Sequence, residues 1–495
     1  MTIPPVPLAR KTLADLPAHI ARPHFPSEKV RAGIVHLGLG GFHRAHMARY
    51  THDLMETSAD ALDWGIIGVG LMPNDRRMWQ ALGPQDGLYT LVERQREKES
   101  ATVIGSVREV IFAGETSRVA LNAMVSSAVR IVSLTVTENG YCINPATKQL
   151  DVTHPSIVHD LAHPELPRSA IGIIVEAYRR RMAAGLPAVT ALTCDNIQHN
   201  GTVLRSAVLA LAQCRDPRLA AWIEANAAFP STMVDRITPA TTPDDIVYLA
   251  SHYGVSDRWP VFSERFKQWV IEDDFVQGRP AWDSVDAQFV DNVAPYELMK
   301  LRLLNASHLA IAGLGALAGY TYIDETLSDE LIRAYLRALM DHETGPTVLA
   351  VPGIDLSVYK AELLERFANP RIRDTVDRVN TDAPINLLLD PIRDRLQAGA
   401  DIALLGLALA AWLRRVRGDD ERGLAIKVGH PSADLLRSRA IEGGSDPRPL
   451  LSISSLFGEL IQHAGLVRTV ERWLGLLYGI GAKATLAVAR QEHDF

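Results

Sequence analysis

Cysteine is scarce in this sequence: three residues, Cys142, Cys194 and Cys214, in a chain of 495. No two are spaced as Cys-x-x-Cys, so neither a zinc site nor a disulfide framework is expected, and a reducing cytoplasm suits the chain. Basic charge is not in excess either. A net charge of −7 without a basic stripe argues against nucleic acid as a partner. Long apolar runs are missing. The longest, residues 402–413, falls short of the roughly 20 residues needed to span a bilayer; it predicts a buried helix, and no membrane partner is expected. The N-terminal stretch, with Pro4, Pro5 and Pro7, lacks the apolar centre of a secretory signal. No fixed-period repeat is visible, and no His, Cys, Asp or Glu cluster has metal-ligand spacing. What is present is an ordinary globular composition, 47% apolar and 22% charged, in a chain long enough for two or three domains.

The first structured signal is a short apolar run, residues 32–37, that stops at Gly38-Leu-Gly40-Gly41-Phe42-His43-Arg-Ala-His46. A helical pattern follows from residue 42 to about 57. Strand, glycine turn and helix in this order open a dinucleotide-binding unit. Gly38 suits the tight turn, while Gly40 and Gly41 let the backbone approach a pyrophosphate at the helix N-terminus. His43 stands where the third glycine of G-x-G-x-x-G belongs, so a plain strand-to-helix turn remains the alternative. A second strand, 64–71, is followed by Pro73-Asn74-Asp75-Arg76-Arg77. Asp75 is the candidate for the ribose hydroxyls and favours NAD; Arg76 and Arg77 leave NADP open. Residues 88–93, 102–106 and 109–112 read as an antiparallel insertion or edge strands. Strand 130–136 ends at Thr137-Glu138-Asn139-Gly140-Tyr141, and strand 188–194 ends at Asp195-Asn196. Between them lies a helix over 169–184 with Gly185 as its stop. Strand ends of this kind face the ligand crevice. The Asn196 amide there either donates to a carbonyl or alkoxide oxygen, or caps a helix beginning near Thr202.

After about residue 215 the character changes. In Val234-Asp235-Arg236-Ile-Thr-Pro239, Asp235 and Arg236 read as a structural ion pair. Residues 259–269 and 274–282 look like strand and loop. Helices then dominate: 296–319, one capped by Ser328 and running to about 341, then 358–367, 387–396, 403–415 and 467–477. The first carries Lys300-x4-Asn305-x2-His308. At about 100° per residue these three span an arc of roughly 140°, close enough for an amine, an amide and an imidazole to converge on one small ligand. A lysine among Leu301, Leu304 and Leu309 loses its proton more readily, because burial disfavours the charged form; that suits a general base. An amphipathic helix with a polar edge is the alternative. The expected architecture is α/β: a Rossmann-type domain with inserted strands over 1–290, then a mostly α-helical substrate and catalytic domain over 291–495. The catalytic helix is expected to face the strand ends across a cleft.

Taken together, Gly38-Leu-Gly-Gly-Phe-His-Arg-Ala-His46, Ser133-Leu-Thr-Val-Thr-Glu-Asn-Gly-Tyr-Cys142, Cys194-Asp-Asn196, Val234-Asp-Arg-Ile-Thr-Pro239, Lys300-x4-Asn305-x2-His308 and Val351-Pro-Gly-Ile-Asp355 resemble the polyol-specific long-chain dehydrogenases, over about residues 30 to 390. The resemblance implies metal-independent hydride transfer between a polyol and NAD in a cytoplasmic monomer. Lys300 is then the general base, Asn196 and Asn305 an oxyanion hole, and His308 an orienting group. Asp235 and Arg378 contact substrate, and Glu297 serves proton movement. Gly38, Gly40, Gly41, Phe42, Asp75 and Glu138 serve the cofactor. The leading substrate pair is mannitol and fructose; arabinitol, sorbitol or a mannonate/fructuronate pair are the alternatives. Two departures from the family pattern stand out. Asn74 replaces an acid common in NAD-preferring members, and Asn380-Thr-Asp-Ala-Pro-Ile-Asn386 replaces a longer, lysine-containing loop that helps close the polyol pocket.

Overall fold

The structure, a computed structural model, describes residues 4–144, 147 and 149–495. The chain divides into two compact units, Met1–Val293 and Ala294–Phe495.

The first unit contains strands β1 (Ala32–Leu37), β2 (Gly65–Gly70), β3 (Tyr89–Arg94), β4 (Glu99–Ile104), β5 (Val107–Phe112), β6 (Ile131–Leu134), β7 (Thr190–Thr193), β8 (Thr232–Asp235), β9 (Val261–Glu264), β10 (Gln268–Glu272) and β11 (Gln288–Val290). Five of them form a parallel sheet in the order β5-β2-β1-β6-β7. The strands are apolar on both sides because both faces are covered. Ile34, Ile66, Ile131 and Leu192 point into one core with Tyr50 and Leu54 of helix Met47–Thr57. Val35, Leu37, Val132 and Leu134 point into the other with Ile171, Ile174 and Tyr178 of helix Ala170–Ala183. Each such side chain contributes about 1.5–3 kcal/mol by leaving water. The chain winds from β1 outward to β5, then returns to β6 beside β1. That reversal is where α/β sheets open a ligand crevice, at the carboxyl ends of the strands.

Two expectations for this unit change. β3 and β4 form the expected antiparallel pair, with β9 alongside. Residues 107–112, however, join the parallel sheet beside β2, because Val110 and Ile111 are needed in its two opposite cores. The helical pattern from 42 onward is broken at His46 (φ −114°, ψ −93°) into Gly41–Ala45 and Met47–Thr57.

The second unit is helical. Its first helix runs as Ala294–Met299, a π-helical turn over Lys300–Asn305, and Ala306–Ala318, ending at Gly319 with φ +81°. In the π turn the Ala306 N–H donates to the Leu301 carbonyl, five residues back. The uniform α-helix expected over 296–319 is therefore interrupted where the polar motif sits. Helix 294–318 is long and apolar enough to cross a bilayer, but 78% of its most apolar stretch is buried within the protein. It packs on Ala403–Arg415 and Val376–Asp382. Ser328 is not a cap: its hydroxyl donates back to the Asp324 carbonyl inside helix Ile323–Ser328. Asp329 instead caps Glu330–Ala338, accepting from the Leu331 N–H at 3.0 Å. A second π turn, Leu339–Thr344, follows. The last helix, Ala464–His493, is longer than expected and kinks at Gly481.

Candidate active site

Gly38 has φ +89°, and a Cβ there would lie 2.2 Å from the Thr135 carbonyl oxygen. The turn that ends β1 therefore requires glycine. At Gly40 and Gly41 a Cβ would approach nothing closer than 3.8 and 3.9 Å, so the space over this backbone is open. The first N–H groups of the helix that starts here have no carbonyl a turn earlier to bond, and such groups donate to phosphate oxygens. These residues fit a dinucleotide. The third glycine of the fingerprint lets helix and strand approach closely. Here His43 achieves the approach differently, stacking on His36 of β1 with ring centroids 3.4 Å apart. Register places His36 opposite Ser133, whose Oγ lies 2.8 Å from Nδ1. Burial pushes the His36 pKa down to about 3 and lowers that of His43 as well, with the neighbouring His36 adding to the shift. Both rings are neutral at physiological pH, as a close stack in an apolar setting demands.

Asp75 begins helix Asp75–Leu82 just beyond β2. Its Oδ2 accepts from the Leu71 and Met72 N–H groups at 2.9 and 2.8 Å. One carboxylate oxygen thus shapes the loop. Arg76 pairs with Glu115 and lies over the Phe112 ring, which ties up one of the two cations considered for a 2′-phosphate.

The loop after β6 contains two non-glycine residues in the left-handed half of backbone space, Thr137 (φ +61°) and Cys142 (φ +52°). Such residues cost on the order of 1–3 kcal/mol and persist only where surroundings hold them. The holder is Asp195, which sequence reasoning passed over. Its carboxylate, buried at the end of β7, accepts from the Val136 and Thr137 N–H groups at 3.1 and 2.8 Å and from the Tyr141 hydroxyl at 2.8 Å. Burial pushes its pKa up, against the pull of those donors. The loop carries Glu138, and the next residue after Asp195 is Asn196; both are exposed. Asn196 is not a helix cap, since the following helix starts at Asn200 with His199 before it. Asn200 instead ties β7 to β8: its amide donates to the Asp195 and Thr232 carbonyls at 2.9 and 2.8 Å. The signal in the sequence was an acid directly after a buried strand. The sheet thus brings Gly38, Gly40, Gly41, Phe42, Asp75, Glu138 and Asn196 to its carboxyl edge, while Asp235 ends β8 and is buried.

The expected Asp235–Arg236 ion pair is not how Arg236 is satisfied. Adjacent residues of a strand point to opposite faces. Arg236, wholly buried, pairs with Glu93 and donates to the Glu264 and Ala45 carbonyls.

In the second unit Glu297, Lys300 and His308 are buried and Asn305 is half-buried. In an α-helix, Lys300 and Asn305 stand roughly 140° apart. A turn closed by i→i+5 bonds is wider and brings residue i+5 to within roughly 50° of residue i. The π turn therefore brings the amine and the amide to one side, and the arc read from the sequence is too wide. π turns in α-helices recur at functional sites. Arg302 of the same turn is anchored by Asp394 at 2.5 Å, and Tyr296 donates to the Pro352 carbonyl at 2.8 Å. The His308 ring stacks on Phe367, centroids 4.7 Å apart. Its Nε2 lies 3.6 Å from Oδ2 of Asp374, a second acid the sequence reading missed. Asp374 is buried and also engages Arg378 in a two-pronged pair, with Nε donating to Oδ1 at 2.6 Å and a terminal nitrogen to Oδ2. The segment 380–386, read from sequence as a shortened loop, is helical to Asp382 and resumes as helix at Asn386. Asn380 donates to the Ala312 carbonyl at 2.9 Å, fixing this segment to the helix that carries His308.

The family profile of the mannitol dehydrogenase Rossmann domain matches residues 32–284, and that of the mannitol dehydrogenase C-terminal domain matches 292–477. The chain is 46% identical to a D-mannonate oxidoreductase of Escherichia coli (strain K12), over 96% of this chain and 99% of that protein. It is 41% identical to a mannitol 2-dehydrogenase of Phaeosphaeria nodorum, over 97% of this chain and 85% of the relative. Among solved structures it is similar to Pseudomonas fluorescens mannitol 2-dehydrogenase in a ternary complex with NAD and D-mannitol. There the identity is 40% and the TM-score 0.90, with 98% of this chain and 100% of that one covered.

Proposed function

The chain belongs to the mannitol dehydrogenase family, and from that premise we propose that it oxidises D-mannitol to D-fructose with NAD and catalyses the reverse reduction. It is an NAD-dependent polyol dehydrogenase; mannitol as the particular polyol is the proposal. The observation that carries the chemistry is the π turn, which puts Lys300 and Asn305 on one side of a helix with His308 one turn further on. In the proposed reaction the Lys300 amine takes the carbinol hydroxyl proton. The Asn196 and Asn305 amides donate to the oxygen as it gains alkoxide character, a form of stabilisation worth several kcal/mol when the donors are preorganised. Bound NAD supplies the hydride acceptor. His308, Arg378 and Asp235 orient the remaining hydroxyls, and Glu297, one turn before Lys300, passes the proton to solvent. Gly38, Gly40, Gly41 and Phe42 hold the pyrophosphate, Asp75 the ribose, and Glu138 lies at the nicotinamide end. A cytoplasmic monomer is part of the same proposal.

A second reading is favoured by the D-mannonate oxidoreductase relative at 46% identity: oxidation of an aldonate at the equivalent carbinol. A carboxylate-bearing substrate calls for an unpaired cation in the site. Arg378 is already held by Asp374, with Asp382 beside it, and this supports the neutral polyol. Initial rates for mannitol, arabinitol, sorbitol and mannonate, each with NAD and NADP, decide the matter. A kcat/KM for mannonate above that for every polyol would replace the first reading with the second.

A further inference from the structure

Asp374 has no role in the motif set that marks the family resemblance, yet it is a buried carboxylate that lies against both His308 and Arg378. We infer that Asp374 is a specificity-determining residue, which acts through Arg378 and His308 to make this part of the site select an uncharged polyol over an aldonate. The inference rests on the reading of Arg378 and His308 as substrate-facing groups.

The argument is one of charge and hydrogen-bonding capacity. Arg378 offers five N–H donors in a planar fork, the group that ordinarily recognises a carboxylate with two parallel bonds. In this structure the side of the fork that carries Nε is taken. Nε and one terminal nitrogen bond both oxygens of Asp374, and the other terminal nitrogen reaches Asp382 at 3.4 Å. Asp374 is 5% exposed, so its charge is poorly screened by water, whereas Arg378 is nearly half exposed. A ligand carboxylate approaching Arg378 would meet a neutralised pair whose acid is fixed behind it and also faces His308 at 3.6 Å. A hydroxyl meets the same surface differently. It can accept from an N–H of Arg378 and donate to a lone pair of Asp374, and so pairs with both members. Asp374 is held in place from both sides along the chain: its carbonyl accepts from the Ile323 N–H at 2.9 Å, and Thr375 caps the helix that carries Arg378.

The test compares D-mannitol and D-mannonate as substrates for the full-length enzyme with saturating NAD. Asp374→Asn is expected to raise the ratio of kcat/KM for mannonate over mannitol at least tenfold, chiefly through a lower KM for mannonate, with the KM for NAD unmoved. Asp374→Glu, which keeps the charge, is expected to leave that ratio within about threefold of wild type. An unchanged ratio in Asp374→Asn, or an equal loss of kcat on both substrates, overturns the inference. The wild type supplies a readout that needs no variant. With the guanidinium neutralised, Arg378 adds no net charge to screen, so at a pH where Lys300 is neutral the KM for mannonate should be flat between low and high salt. A KM that climbs steeply with salt shows an unpaired cation and overturns the inference even if Asp374→Asn fails to fold. A wild type that turns over mannonate and no polyol overturns the proposed function and with it the inference, whereas polyol turnover with an unchanged ratio in Asp374→Asn overturns the inference alone.

Discussion

Glu343 lies in the π turn Leu339–Thr344 and is 3% exposed. Its two carboxylate oxygens accept from the Leu404 and Leu405 N–H groups at 2.7 and 2.6 Å, capping from a distance of sixty residues the helix that packs on helix 306–318. Burial pushes its pKa from 4.5 up to about 7, against the pull of those two backbone donors. A folded-state pKa raised above the unfolded value means the native protein holds this proton more tightly. The stability so gained is complete below pH 4.5 and is lost as pH rises through 7. A shift of 2.5 units corresponds to about 3 kcal/mol. Glu343→Gln cannot ionise. Its amide oxygen accepts one N–H, but its NH2 group faces the other, at a cost of about 1–3 kcal/mol. At pH 5 the variant should be less stable than wild type by that amount. At pH 8 wild type has lost about 3 kcal/mol of its own, so the gap should close or reverse. Hydrogen exchange of a peptide covering residues 403–415, measured for both proteins at each pH, reads the difference with the intrinsic exchange rate cancelled. Parallel stability curves from pH 5 to 8 would refute the reasoning and show that the two N–H bonds hold the acid ionised throughout.

Other predictions concern the chemistry. Lys300→Ala should lower kcat for polyol oxidation by about 10²–10⁴-fold, the usual worth of a general base, while NAD affinity measured by fluorescence stays within a factor of about two. In wild type, oxidation should rise with pH as Lys300 loses its proton and ketose reduction should fall; limbs that persist in Lys300→Ala would assign the proton to another group. Asp75→Asn keeps an acceptor for the loop N–H groups but drops the charge, so the NADP-to-NAD ratio of kcat/KM should rise; a ratio that stays put moves the ribose acid elsewhere. Asp195→Asn turns one acceptor into a donor against the Val136 and Thr137 N–H groups. It should cost about 1–3 kcal/mol of stability and lower kcat through Glu138 and Asn196, which a stability loss with unaltered kcat would contradict. Dialysis against a strong chelator should leave turnover unchanged; a loss restored by zinc would show a metal in the mechanism.

What could be read from the sequence was what local pattern encodes. Apolar runs broken at Gly38, Thr137 and Asp195 marked the strands and placed their ends at a common edge, because side-chain burial on both faces leaves a continuous apolar signature. The spacing of Lys300, Asn305 and His308 marked the motif. What could not be read depends on partners far along the chain. Arg236 finds Glu93, 143 residues earlier, and Glu343 finds Leu404 and Leu405; no local spacing announces either pair. The role of Asp195 in holding Thr137 needs two strand ends side by side, and that of Asp374 needs two helices. The π turn is hidden for a different reason. Residues 296–319 are apolar nearly all round, so a lost or gained residue per turn leaves no break in the hydrophobic period.

That turn also makes helix 294–318 a splice of two phases. The segment before it is set by Tyr296 reaching Pro352. The segment after it is set by close packing such as Gly313 against Ala411, where an added Cβ would already be in contact at 3.7 Å. The extra residue in the turn lets both registers be satisfied along one rod. Removing any single residue between 300 and 305 would close it to an ordinary α turn and leave the two flanks in nearly the same phase, since four α steps cover about 400° where the five steps of the π turn cover about 410°. Point substitutions at Leu303 or Leu304 alter only volume, whereas a one-residue deletion would remove the wide turn itself, and a one-residue insertion would turn one flank against the other by about 100°. Among close relatives of this chain, insertions should therefore be absent from these six positions, and a single deletion is the one length change they could absorb.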